Sequence, residues 1–274
     1  MSYVPIGASK SLDRVRIPRF RLNWKPLAVL GAIIGFWYLE AAHYSREDLS
    51  FIVPSPHQVW ALGFANSQSR AQLLAALGHS ATVAMTGLAI AFVIGVGWAM
   101  LMAQAKWVES ALFPYAVVLQ CIPILAVTPL IGSIAGYAFE ARLITTVLIS
   151  LFPLVSNTLF GLQSVDRSQR ELFQLGRAGR FRTLVKLLWP AALPSIFVGL
   201  RTAAGLSVIG AIVGDQLFQR GTPGLGVLIQ VDSTRLLGQQ EWAAILTACA
   251  LGVAVFLAFG LLARLVVGRW YDFG

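Results

Sequence analysis

The side chains able to do chemistry are few, and they lie in unusual places. Asp215 and Glu40 each sit toward the end of a long apolar run. A carboxylate at mid-bilayer costs about 3 kcal/mol or more, so an embedded one is a candidate functional group. Asp215 continues a ladder of small residues, Gly199, Ala203, Ser207 and Ala211, and should face protein. It either lines a passage or packs a bundle, whereas Glu40 lies within reach of an interface. His43, His57 and His79 lack metal-ligand spacing, so no metal site is expected. No nucleophile–base constellation is present, so no residue is assigned a catalytic role. No G-x-x-x-x-G-K-[ST] segment occurs, and Gly221-Thr222-Pro223-Gly224-Leu225-Gly226 reads as a turn without the lysine of a phosphate loop.

The elements that carry these groups follow from composition. Hydrophobic residues make up 57% of the chain and charged residues 12%, against about 45–50% and about 25% in soluble domains. Several stretches of roughly 20 residues carry almost no charge, enough for a helix to cross about 30 Å of hydrocarbon. Helices satisfy their backbone hydrogen bonds internally, as a bilayer demands. The expected fold is therefore all-α and polytopic, with about six transmembrane helices near residues 26–44, 82–103, 111–134, 143–162, 195–217 and 242–267. The net charge of +9 gives no reason to expect nucleic acid, because Lys and Arg cluster at the ends of apolar runs. With the N-terminus inside, the inner ends receive roughly three times as many of them as the outer ends. Both termini are then cytoplasmic. The expected organisation is a basic segment 1–25, a first span and outer segment 26–81, a core 82–267 containing a cytoplasmic loop 163–194, and a tail 268–274.

Small residues recur at every fourth position in the second span, Gly87, Ala91, Gly95 and Ala99, as they do in the fifth. Such ridges allow close helix approach, either for static packing or for sliding between states. Pro114, Pro123 and Pro129 interrupt the third span and Pro153 the fourth. Broken helices are tolerated where neighbours or a water-lined cavity satisfy the freed groups. Gln120, Ser156 and Asn157 are therefore candidates to line a passage, with interhelical hydrogen bonding as the alternative.

The loop 163–194 is the most basic part of the chain. Ser168 and Glu171 have capping-box spacing, so a short helix is expected to begin at Ser168. Leu172 and Leu175 give it an apolar stripe, with Phe173 beside them. An apolar stripe on such a loop must meet another segment, the lipid interface or a protein groove.

Here the chain resembles the inner-membrane permeases of binding-protein-dependent ABC importers. Their loop signature is Glu-Ala-Ala, a Gly six positions after the Glu, and a Pro thirteen beyond that Gly. Glu171 and Pro190 keep the Glu-to-Pro separation. Leu172 and Phe173 replace the alanines, Arg177 stands at the Gly position with Gly176 and Gly179 nearby, and Trp189 precedes Pro190. Ile52-Val53-Pro54-Ser55-Pro56, Ser164-Val165-Asp166, Pro190-Ala191-Ala192-Leu193-Pro194, Gly199-Leu200-Arg201 and Gly224-Leu225-Gly226 are similar to the sulfonate, nitrate and taurine branch.

The resemblance implies a type I importer permease fold and no ATPase site in this chain. It implies a second permease subunit, expected to be an identical copy, and two cytoplasmic ABC ATPases that use ATP and Mg. A substrate-binding protein would deliver a sulfonate, nitrate, taurine or similar small solute at the outer face of a bacterial inner membrane. Glu171, Leu172, Phe173, Leu175, Arg177 and Gly179 would meet the ATPase, unless Glu171 serves only as a cap. An ion-coupled secondary transporter is the competing reading, but such proteins carry intramembrane ion ligands and paired repeats that are not evident here.

Overall fold

A computed structural model describes residues 24–46 and 49–268. The helices are α1 (Trp24–Arg46), α2 (Pro56–Gln58), α3 (Ser67–Met102), α4 (Lys106–Cys121), α5 (Ile124–Ala135), α6 (Phe139–Gln163), α7 (Arg167–Leu175), α8 (Arg180–Thr183), α9 (Trp189–Leu217), α10 (Leu225–Thr234) and α11 (Gly238–Val267). Short π-helical stretches, Val59–Phe64 and Leu184–Leu188, continue α2 and lead into α9. Among the described residues, five helical segments are long and apolar enough to cross a membrane, and α4 with α5 makes a sixth, bent crossing. The basic segment 1–23 and the residues after Gly268 lie outside the described residues.

Two expected spans change shape. The second begins not at Thr82 but at Ser67, as a 36-residue helix. At 1.5 Å per residue it is about 54 Å long, well beyond the bilayer core. Asn66 starts it, its Oδ1 accepting from the amides of Gln68 (2.9 Å) and Ser69 (3.3 Å). Reading apolarity alone found only the membrane-embedded part. The third span is not continuous, because α4 and α5 meet at 99° across Ile122 and Pro123. Pro123 has no N–H to continue α4 and disfavours helical ψ at Ile122, which is extended (ψ 119°). Pro114, Pro129 and Pro153 remain inside helices.

Helix α6 is the centre of the bundle, lying between α3 and α9 at distances only small residues permit. A Cβ on Gly199 would lie 2.8 Å from the Pro153 carbonyl, and one on Gly210 2.8 Å from the Thr146 Cα. From the other side Gly87 meets the Thr146 side chain, and a Cβ on Gly95 would lie 2.9 Å from the Leu154 Cβ. Ala91, Ala99, Ala203, Ser207 and Ala211 have no exposed surface. The hydroxyls that α6 brings into this seam bond their own helix: Thr145, Thr146 and Ser150 donate to the carbonyls four residues earlier. Those three are thereby satisfied in an apolar setting, whereas the buried Thr158 hydroxyl, further along α6, has no partner among the described residues.

Helix α1 stands apart, with Ala41 its one buried residue among those described. It is tied at the α10 end by a tryptophan pair. Trp37 stacks on Trp242 at 5.0 Å between ring centroids. Trp37 Nε1 donates to the Pro54 carbonyl (3.1 Å) and Trp242 Nε1 to the Ile52 carbonyl (3.0 Å). The extended Ile52–Pro56 segment is thus held by its carbonyls, and it hands over to α2 with Pro56 in the first helical turn.

Candidate functional site

Two constructions stand at opposite ends of α6, one around α7 and one around Arg142. Helix α7 starts at Arg167, with Asp166 at the N-cap position. The expected capping box is therefore corrected: Ser168 lies inside the helix. Glu171 instead receives Arg167 Nε at 2.7 Å, one turn earlier on the exposed surface. Arg170 faces the other way. Its Nη2 donates to the Leu162 carbonyl (3.0 Å) and its Nε to the Val165 carbonyl (3.3 Å), satisfying the end of α6 and fixing α7 against it.

The far end of α7 closes in a Schellman motif. The Ala178 amide donates to the Phe173 carbonyl (3.0 Å) and the Arg177 amide to the Gln174 carbonyl (2.9 Å). This arrangement needs a left-handed residue after the cap, and Arg177 supplies it with φ 50°. Gly176 has an ordinary negative φ of −74° and Gly179 precedes α8 in extended conformation, so neither glycine makes the reversal. Leu172 and Leu175 remain 67% and 83% exposed, and Phe173 is half-buried. The result is a short, rigidly closed helix presenting an uncovered apolar stripe.

At the other end of α6, Arg142 has no exposed surface. Its guanidinium holds the turn after α9 by three carbonyls: Nε donates to Phe218 (2.8 Å), Nη2 to Arg220 (2.9 Å) and Nη1 to Thr222 (2.8 Å). His79 Nε2 is 2.9 Å from Nη1, and Asp215 Oδ1 is 3.0 Å from it. Asp215 Oδ2 accepts from Ser80 Oγ at 2.6 Å, and Ser80 Oγ accepts from the Leu225 amide at 2.8 Å. One network therefore links α3, α6, α9, the turn and α10. Gly224 and Gly226 are required by it, because a Cβ on Gly224 would collide with the Asp215 carboxylate and one on Gly226 with the Ile212 carbonyl.

Of the two roles left open for Asp215, the geometry supports packing, since the carboxylate has no exposed surface. Sequence spacing pointed to Asp215 but not to Arg142, Ser80 or His79. Arg142 at the head of an apolar run was the available signal for a buried counter-charge. Gln120 is exposed on α4, one residue before its end. Ser156 and Asn157 are half-buried on α6, with Asn157 Nδ2 donating to the Pro153 carbonyl at 2.8 Å. The structure does not gather these three around Asp215.

Residues 93–270 match the family described as the binding-protein-dependent transport system inner membrane component. The chain belongs to this family. It is an ABC importer permease with the type I importer fold, of the sulfonate and nitrate branch. The permease is 33% identical to the formylaminopyrimidine transport permease protein ThiX of Halalkalibacterium halodurans, over 76% of this chain and 82% of that one. It is 32% identical to the riboflavin transport system permease protein RibX of Chloroflexus aurantiacus, over 91% and 92%. It is 30% identical to the nitrate import permease protein NrtB of a Synechocystis strain, over 55% and 54%. At the glycine position of the importer loop signature, this permease places the left-handed Arg177.

Proposed function

We propose that this permease carries a small organic solute, driven by ATP hydrolysis in a partner subunit that grips α7. The observation that carries the reading is the exposed pair Leu172 and Leu175 on a helix closed at its C-terminal end and tied to α6 by Arg170. Exposed leucines on so short and so fixed a helix fit a protein groove better than they fit water. Glu171 and Arg167 would offer polar contacts at the rim, Phe173 a half-buried wedge, and Arg177 and Gly179 the turn beyond. Such a helix transmits force because Arg170 binds it to the last turn of α6.

In this reading the α7 end faces the cytoplasm together with both termini, in a bacterial inner membrane. A second copy of the permease completes the passage, two ABC ATPases use ATP and Mg, and an extracytoplasmic binding protein docks at the α10 end. Binding-protein docking and ATP must each favour one state of the bundle over the other, or no switch occurs. Gln120, Ser156 and Asn157 are the passage-lining candidates, with Asp215 assigned to packing. The relatives that match over four-fifths or more of their length include ones named for formylaminopyrimidine, riboflavin and aliphatic sulfonate transport, at 33%, 32% and 28% identity, whereas the nitrate match covers about half. The higher identity to the first two favours a heteroaromatic solute, with a sulfonate or similar small anion as the second reading.

The test is co-expression of the permease with a candidate partner ABC ATPase and purification through a tag on the permease. Wild type should retain the ATPase and, in proteoliposomes, show hydrolysis stimulated by the solute-loaded binding protein. Leu172→Asp with Leu175→Asp should lose both, and Glu171→Ala should weaken retention. Retention of the ATPase and full transport in both variants would remove α7 as the docking element. Transport driven by an ion gradient without ATP would favour the secondary-transporter reading.

A further inference from the structure

Two cavities adjoin where α3 ends and the loop after α7 turns back toward the bundle. One, of about 580 Å³, is almost wholly apolar and runs along Gly97, Leu101 and Phe181. The other, of about 210 Å³, is half polar and is lined by Arg170, Gln174, Arg180 and Thr183. They share Gln104, Arg180 and Leu184, so they form one amphipathic depression. Its combined volume falls in the range of about 300–1,000 Å³ typical of ligand sites.

The chemistry of the depression is sorted by depth. Gly97 and Leu101 follow one another along one side of α3, about 6 Å apart in helix rise, and Gln104 comes in the turn just past its end. The apolar part therefore lies deeper toward mid-membrane and the polar part at the helix end. Leu101 and Phe181, which line it, are 61% and 79% exposed, while Leu184 forms its buried floor. At the polar end, two bonds to backbone carbonyls already fix the Arg170 guanidinium. Among the described residues, no acidic side chain lines either cavity. Two arginines with uncompensated charge, at the mouth of an apolar trough in a membrane-spanning chain, match a phosphate joined to an acyl chain.

We propose that this depression is a binding site for an anionic glycerophospholipid, its phosphate between Arg170 and Arg180 and one acyl chain along Gly97 and Leu101. The chain's own residues 1–23 are a poorer occupant on charge grounds, since they carry Lys10, Arg14, Arg16, Arg19 and Arg21 against the single acid Asp13. A bound lipid would join α3 to α8, and so brace the segment that connects α7 to α9.

The test uses the assembled transporter purified in detergent, with phosphatidylglycerol or phosphatidylcholine of identical chains added before native mass spectrometry. Wild type should retain phosphatidylglycerol about fivefold better, the difference expected from one basic residue near a phosphate. Arg180→Gln should abolish the preference and Arg180→Lys should restore most of it. Gly97→Trp probes the acyl trough from a position where an added Cβ meets nothing within 4 Å. It should lower retention of phosphatidylglycerol as well. Equal retention of the two lipids, or undiminished retention in both Arg180→Gln and Gly97→Trp, would overturn the proposal. So would displacement of the lipid by millimolar inorganic phosphate, or a site closed to lipid by the ATPase or a second permease.

Discussion

Arg142 on α6 and Asp215 on α9 form an ion pair at 3.0 Å in which neither side chain has any exposed surface. Charges so placed are tolerated only when each is paired and its remaining hydrogen-bonding capacity is used. Here three carbonyls and His79 take up the guanidinium, and Ser80 donates to Asp215 Oδ2. Among the described residues of this network only Asp215 Oδ1, which faces the guanidinium at 3.0 Å, lacks a hydrogen bond.

Removing one partner should therefore be far worse than removing both. Arg142→Leu or Asp215→Leu alone should destabilise the permease by about 3–5 kcal/mol, because each strands a buried charge. The double variant should recover a substantial part of that loss. Thermal unfolding of the four proteins in one detergent, treated as a double-mutant cycle, reads the coupling. Additive effects would show that the pair is not a unit.

Arg177→Gly should stabilise the closure of α7. A non-glycine residue in left-handed conformation costs roughly 1–2 kcal/mol, while glycine's greater unfolded freedom takes back part of the gain. A net gain of about 1 kcal/mol corresponds to about fivefold slower amide exchange. Hydrogen exchange on peptides spanning 167–180 measures it, and faster exchange in the variant would contradict the cap geometry.

Glycines should divide sharply by position. Gly226→Ala should destabilise by about 1–3 kcal/mol, since its Cβ would press on the Ile212 carbonyl, which is backbone and cannot turn aside. Gly97→Ala enters open space within a helix and should gain up to about 1 kcal/mol. Paired melting curves in the same detergent decide both.

Asp232, on the short α10 outside the spans, is held above the usual carboxylate range. Burial is the main cause and Glu241 adds to it, while Arg235 opposes them. A carboxyl with a raised folded-state pKa is most favourable to the fold below its unfolded value. That contribution is lost as pH rises through the raised value. Asp232→Asn should thus be more stable than wild type at neutral pH, with the difference vanishing below the unfolded carboxylate range. Melting temperature against pH for both proteins checks the sign.

Much of this fold was legible because its strongest signals are local. Charge-free runs marked the spans, and the ladder from Gly199 to Asp215 told which side of α9 faces protein. Pro123 announced a break, though no local rule supplied its 99° angle, which depends on what α5 packs against. The partners of Asp215 were hidden because ion pairing between α6 and α9 leaves no mark in spacing. The α7 cap was hidden for the opposite reason. Arginine is a poor choice for left-handed backbone, so propensity pointed to Gly176 and Gly179 instead. Ser168 misled in the same way, since a matching Ser-x-x-Glu interval says nothing about Arg167 competing for the glutamate.

Arg142 grips the turn after α9 only by carbonyl oxygens, which every residue type carries. The hold is therefore indifferent to most side chains that the turn bears. Gln219 and Thr222 can be exchanged without loosening the clamp, provided the buried Phe218 and the left-handed Gly221 are kept and Gly224 and Gly226 keep the room they leave for Asp215 and Ile212. A surface whose path is fixed and whose lettering is free is suited to rapid re-tailoring. Variation confined to this turn could match the scaffold to a different external partner while the helices beneath stay as they are.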